Sequence, residues 1–271
     1  MRRIVIILLI CGLSQAAFAQ NADQQDIQQV KRSQVRFFGA QEVNNYKNEF
    51  NVGGRLNTDG WNAYLELEKR RNAVVRNLFQ FEVGETKHPK ENKTARGQAI
   101  PYPGGYVHYS TSRPYVYGKR NVFYQVRLGF GQRRTIGGKG NKNGVEVSAI
   151  YMGGVTLGLV KPYYLELVDT LSSGTYFAKY TPETEGDFLN ENNILAGGGF
   201  KRGWDELEIN PGLYARLGMR FDWAEFNEFV SAIEVGVTGS FYSKKVQIMV
   251  NNKASSFFYG AYVSLLFGKR W

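Results

Sequence analysis

From residue 257 onward the chain alternates strictly. Phe257, Tyr259, Ala261, Val263, Leu265 and Phe267 share one parity, Gly260, Tyr262, Ser264 and Gly268 the other, and the run reaches aromatic Trp271. A period of two sends successive side chains to opposite faces of a strand, and an apolar outer face that ends in an aromatic residue suits a strand that meets lipid. A half-buried strand of a soluble exported sandwich alternates in the same way, so the rest of the chain must decide. The pattern recurs over residues 49–57, with Phe50, Val52 and Leu56 outward, and over 61–70, where Trp61, Ala63, Leu65 and Leu67 oppose Asn62, Tyr64, Glu66 and Glu68. It recurs again over 75–87, where Phe79, Phe81 and Val83 oppose Gln80, Glu82 and Gly84, and over 119–135, where Val122, Tyr124, Val126, Leu128 and Phe130 oppose Gln125, Arg127, Gly129, Gly131 and Arg133. Residues 145–168, 209–223 and 229–242 complete the series.

This patterning predicts an all-β chain forming a transmembrane, antiparallel, up-and-down β-barrel of about eight strands. With both ends on one side of the membrane, the odd-numbered connections emerge on the other, and the two longest, 87–118 and 169–208, are then the third and fifth. Short turns on one side and long loops on the other are the habit of such barrels. A further strand over residues 33–41 would break the parity, so residues 20–47 read as a periplasmic extension and 48–271 as the barrel. The stretch 145–168 exceeds the roughly 9–11 residues a tilted membrane strand needs. Gly153-Gly154 is its expected bend and Pro162 lies past its spanning part; if it is two elements, a ten-stranded barrel is the alternative.

Composition narrows the class. Beyond residue 20 no apolar run approaches the roughly 20 residues of a membrane helix, while Gly (31), Tyr (17) and Phe (18) are plentiful. Arg2 and Arg3, the apolar run 4–11 and Ala17-Phe18-Ala19 have the layout of a cleaved export signal over residues 1–19. Its removal would take Cys11 with it, leaving no disulfide, thiol nucleophile or cysteine metal site. The formal charge of +10 falls to +8 once the two arginines are subtracted. A basic exported chain suits an envelope rich in anionic lipid, which makes outer membrane lipids and the barrel assembly machinery the expected partners, with a further envelope protein among the candidates. No nucleic-acid motif is present. No metal-ligand spacing appears, and no cofactor is expected. Gly137-Gly138-Lys139-Gly140 lacks the spacing of a phosphate loop and reads as a turn, and Ala196-Gly197-Gly198-Gly199 as flexible loop.

The inward parity gathers charge. Glu49, Glu66, Glu68, Glu82, Glu146, Asp222 and Glu234 face the same interior as Arg55, Arg127, Arg133, Arg216 and Arg220, and every base is arginine. A planar guanidinium bridges carboxylates in a low dielectric, and an eight-stranded barrel is just wide enough for side chains to fill. The set therefore reads as a plugged core, with a narrow passive channel as the rival. A lipid-modifying enzyme is the other rival: it would draw on His88, His108 and Ser110, with Ser112 or Glu91, at the long-loop rim. The spacing of these residues is not that of a known triad. The bland reading of Lys87, Lys90, Lys93 and Arg96 is a basic rim touching lipid phosphates.

Asn57-Thr58-Asp59-Gly60-Trp61, Lys87-His88-Pro89-Lys90-Glu91, Tyr117-Gly118-Lys119-Arg120-Asn121, Gly158-Leu159-Val160-Lys161-Pro162 and Phe267-Gly268-Lys269-Arg270-Trp271 occur in this order. Together they resemble an uncharacterised family of outer membrane β-barrel proteins from Bacteroidota, a Gram-negative group. The resemblance implies a fold and a location and carries over no catalytic residue. The expected function is that of a non-catalytic, structural or partner-binding component of the envelope, accessory to a secretion, motility or surface assembly.

Overall fold

The computed structural model describes residues 46–101, 107–138, 144–169, 174–224 and 228–271, with the backbone alone for 98–101 and 107–110. Eight long strands carry the fold: β1 (Asn48–Asn57), β2 (Gly60–Arg70), β3 (Val75–Thr86), β4 (Asn121–Gly137), β5 (Glu146–Pro162), β6 (Glu208–Asp222), β7 (Phe229–Val246) and β8 (Ser255–Arg270). Each pairs antiparallel with its neighbours in sequence, and β1 closes on β8 from Glu49 opposite Arg270 to Asn57 opposite Tyr262. Closure leaves no barrel strand with an unpaired edge, the condition for crossing lipid with strands. The backbone amides of Lys47 and Asn48 bond the carbonyl of Trp271, fastening the two ends of the barrel chain at the short-turn end.

The barrel is inverted relative to a soluble protein. Leu56 is 73% exposed, and Leu213, Leu217, Leu128, Phe130 and Phe267 are each at least half exposed around the outside. On β4 the outward row runs from Tyr124 to Gln132, eight residue steps (132 − 124); at ~3.3 Å per step and a tilt of ~40° this makes a band roughly 20 Å tall. Aromatic residues mark its limits. Trp61, Phe257 and Tyr259 lie at the long-loop end, and Trp223, Phe229 and Trp271 at the other, all exposed. This is the girdled surface of a membrane-spanning barrel.

The stretch 145–168 is two elements, yet the barrel has eight strands, not ten. β5 ends at Pro162, and Tyr164–Val168 becomes the middle strand of a separate three-stranded sheet with Thr175–Lys179 and Ile194–Gly197. Gly153 and Gly154 do not interrupt β5, which stays paired with β4 and β6 through both. The glycine at 154 serves close approach, since a Cβ there would stand 2.0 Å from the Leu128 carbonyl oxygen. Ala196 and Gly197, read as flexible loop, close a strand instead.

That small sheet and the short helix α1 (Glu185–Phe188) form a cap at the long-loop end. Leu165, Leu167, Phe188 and Ile194 are wholly buried in it with Tyr115 and Ala178, and each large apolar side chain so removed from water contributes about 1.5–3 kcal/mol. Two ribbons, Lys93–Thr94 with Tyr115–Val116 and Gly97–Pro101 with Val107–Thr111, belong to the preceding long loop.

Candidate functional site

The interior begins, at the short-turn end, with Glu49 on β1. It takes Arg270 at 2.8 Å and Arg76 and Arg133 at 3.3 Å each; Arg270 also bonds Asp222. Glu146, half-buried at this mouth, accepts from Thr135 at 3.2 Å and Ser148 at 3.3 Å. One layer in, Arg220 on β6 reaches Glu68 at 2.6 Å and Glu66 and Glu234 at 2.8 Å each, while Arg133 bonds Glu68 at 3.1 Å. The Tyr262 hydroxyl donates to Glu234 at 2.7 Å. Nearer the long loops, Glu82 holds Arg55 at 2.5 Å and Arg127 at 2.8 Å and accepts from Asn62. Arg127 continues to Gln125 and Ser240.

All eight strands thus supply a charged member. The layering follows from period two: every second residue must point inward, and in a space too narrow for a water column those residues must satisfy one another. Arg216 is the exception in geometry. It is as buried as its neighbours, yet it approaches Glu66 and Glu234 only at 3.8 and 3.7 Å, and its guanidinium makes no hydrogen bond.

Sequence reading missed Arg76 and Arg270, both buried. Each has inward parity, with Leu78 and Gln80 in one case and Ser264 and Gly268 in the other, so continuing the alternation to the strand ends would have found them. Tyr64 and Tyr262 were placed inward but not among the charges. Their rings carry the Arg55 guanidinium at 4.8 and 4.7 Å.

The long-loop mouth is closed by apolar packing. Phe123, Tyr242 and Val246 from the barrel meet Val116, Ile248 and Met249 from the loops, all buried. The loop between β3 and β4 is stitched to the loop between β7 and β8 by the amides of Arg120 and Asn121, both bonded to the Ile248 carbonyl, and by Val250 N–H to the Gly118 carbonyl. Charged side chains thus pair across the interior at one end and apolar side chains pack at the other.

Among the described rim residues, His88, Glu91 and Ser112 do not form a triad. His88 Nδ1 accepts the Lys90 amide at 3.2 Å, so in the neutral ring the proton sits on Nε2 and Nδ1 is unavailable as a base. Glu91, three residues further on, accepts the His88 amide at 3.0 Å and the Lys119 ammonium at 2.6 Å. Ser112 Oγ accepts the Arg96 amide at 2.9 Å. The side chains of His108 and Ser110 lie outside the described residues, as do the backbone and side chains of the proposed export signal. His88 does line an open groove of about 310 Å³ with Leu56, Trp61 and Lys87. Glu66 and Glu68, the paired carboxylates considered for acid/base work, are held by Arg220 away from solvent. Among the described residues no three acidic, histidine or cysteine side chains are grouped as metal ligands.

No protein-family model and no curated protein matches the chain. Its shape is similar to solved barrels. Neisserial surface protein A shares 8% identity at a TM-score of 0.38, over 83% of this chain and 97% of that one. A major outer membrane protein from Thermus thermophilus shares 11% at 0.39, over 83% and 99%. The N-terminal β-barrel domain of Pseudomonas aeruginosa OprF shares 8% at 0.35, over 83% and 98%. These are likenesses at TM-scores below 0.5; the barrel assignment rests on the closed ladder of this chain.

Proposed function

We propose that this chain is a non-catalytic outer membrane barrel that presents its cap to a protein partner, as an accessory component of a secretion, motility or surface assembly. In this reading an export signal is removed after Ala19, residues 20–47 stay on the periplasmic side, and the barrel assembly machinery inserts the rest among outer membrane lipids. The Bacteroidota family resemblance belongs to the same proposal. The observation that carries it is the cap: a sheet with its own buried core stands on a barrel whose interior is filled, and recognition commonly sits on loops held by a rigid scaffold. A channel is disfavoured by the packed long-loop mouth, and a hydrolase by the engaged Nδ1 of His88.

The test is crosslinking in intact cells, followed by purification of the tagged protein from outer membranes. A stoichiometric companion lost when residues 164–197 are replaced by a short turn supports the proposal. Recovery of the barrel alone, or a companion indifferent to that replacement, refutes it.

A further inference from the structure

Between the cap and β6 the chain does not fold over the barrel mouth. It turns outward and lies against the lipid-facing side of β4 and β5. Two glycines make the excursion, Gly199 at φ +84° and Gly203 at φ +81°, a region other residues enter at a cost. Gly203 also passes so near β5 that a Cβ would stand 2.9 Å from the Pro162 carbonyl oxygen. Between and beside them come Phe200, Lys201, Arg202 and Trp204.

The Trp204 ring stacks on Tyr124, centroids 5.7 Å apart and planes 8° from parallel, and Phe200 packs edge-on to Trp204 at 5.2 Å. Lys161 lies under both rings, its ammonium 5.0 Å from each centroid, and donates to the Phe200 carbonyl at 2.7 Å. Tyr124 follows the buried Val122 at the long-loop end of the outward row on β4, so the cluster continues the upper girdle. Phe200 nonetheless keeps 67% of its surface exposed, and Trp204 is exposed too. The Arg202 guanidinium lies 3.5 Å from the Phe177 ring of the cap sheet. Lys201 is exposed and has no ion-pair partner among the described residues.

An aromatic pair bare at girdle height, with Lys201 and Arg202 between the two rings and Asp205 and Glu206 directly after them, has the make-up of a segment lying in a lipid headgroup layer. In water its exposed rings would be a liability; at the interface they are in their preferred medium. We infer that residues 198–204 form an interfacial lipid anchor, in which Phe200 and Trp204 enter the headgroup region of the bilayer and Lys201 binds the phosphates of anionic lipid. The anchor fixes the cap to the membrane as well as to the barrel. This inference rests on the membrane-spanning fold and is independent of the partner reading.

The test uses the full chain with Cys11→Ser, carrying either Phe200→Cys or, as a control on the cap, Glu183→Cys. Each cysteine takes a bimane label, whose apolar rings replace the phenyl group at position 200. The proteins are placed in nanodiscs containing phosphatidylglycerol and lipids brominated near the headgroup. Heat-modifiable gel migration verifies a folded barrel in each. Quenching of the position 200 label several-fold beyond that at 183, with matching protection from aqueous iodide, is the expected result. Equal iodide access at the two positions overturns the anchor. Adding Lys201→Glu should lower the lipid quenching at position 200 in phosphatidylglycerol discs but not in discs of phosphatidylcholine alone; no difference between the two overturns the assignment to anionic headgroups.

Discussion

Arg220 and Arg216 stand two inward steps apart on β6, with Gly218 between them, and are equally buried, yet their removal should have very different consequences. Arg220→Met deletes contacts at 2.6 Å to Glu68 and at 2.8 Å to Glu66 and Glu234, stranding three buried carboxylates at once. Breaking one buried pair costs about 3–5 kcal/mol, and the remaining partners (Arg133 for Glu68, Tyr262 for Glu234) hold the total near the upper end. With a urea slope of about 2–3 kcal/mol/M, a loss of ~5 kcal/mol lowers the unfolding midpoint by roughly 2 M. Arg216→Met removes only contacts at 3.7 and 3.8 Å and also removes a guanidinium without hydrogen bonds. Those two effects oppose each other, so its cost should stay below ~1 kcal/mol. Urea titrations of the two variants in lipid vesicles, read by tryptophan fluorescence and by heat-modifiable migration, give the comparison. Equal shifts, or a larger one for Arg216→Met, would refute the claim that hydrogen-bonded geometry rather than burial sets the worth of these charges.

Three further outcomes follow from the same geometry. Planar bilayers containing the protein should show no discrete conductance steps, and Arg216→Ala should stay silent because the apolar mouth is intact; steps in the unaltered protein would contradict a sealed interior. His88→Ala should leave the mass spectrum of surrounding lipid A unchanged, whereas a mass change made by the unaltered protein and lost in the variant would restore the hydrolase reading. Acid should loosen the cap near Glu206, whose carboxyl is held below its ordinary value by hydrogen bonds from Lys179 and then Tyr164. A carboxyl lowered on folding stabilises above its unfolded value, about 4.3, and that contribution is lost as pH falls through the folded one. Amide protection over residues 175–179, taken relative to the intrinsic exchange rate at each pH, should therefore fall on acidification below about 4.3, and Glu206→Gln should lower it already at neutral pH while removing most of the acid dependence.

Period two made the barrel legible, because in lipid it is the only device that separates the two faces. Six of the eight strands lie within about two residues of where alternation places both ends; β5 stops short at Pro162, and β7 runs on to Val246 past a shift in its register with β8. The same signal failed at Pro162. Leu165 and Leu167 keep the parity of an apolar strand face, but that face packs on Phe188 and Ile194 rather than on lipid. Alternation reports that one face is apolar and says nothing of what covers it. The helix Glu185–Phe188 is a single turn and has no period to detect. Phe200 to Trp204 was invisible for a different reason: its meaning comes from Tyr124 and Lys161, distant in sequence and brought beside it only by closure of the barrel.

Why the interior should be charged, when apolar replacements of buried pairs are often neutral or stabilising, is a question about register. A strand that slips by one residue exchanges its faces. For β6 such a slip would carry Arg216, Arg220 and Asp222 into the lipid and Leu217, Met219 and Phe221 into the interior. An arginine on the lipid face near the midplane costs about 2–4 kcal/mol, so the two arginines alone penalise the slip by roughly 4–8 kcal/mol. An apolar interior would remove that penalty, since both faces would then suit hydrocarbon. Arg216 contributes to this selection in full although it contributes little to the stability of the correct register. Its poor hydrogen bonding is thus compatible with a structural role: it acts against the wrong barrel rather than for the right one.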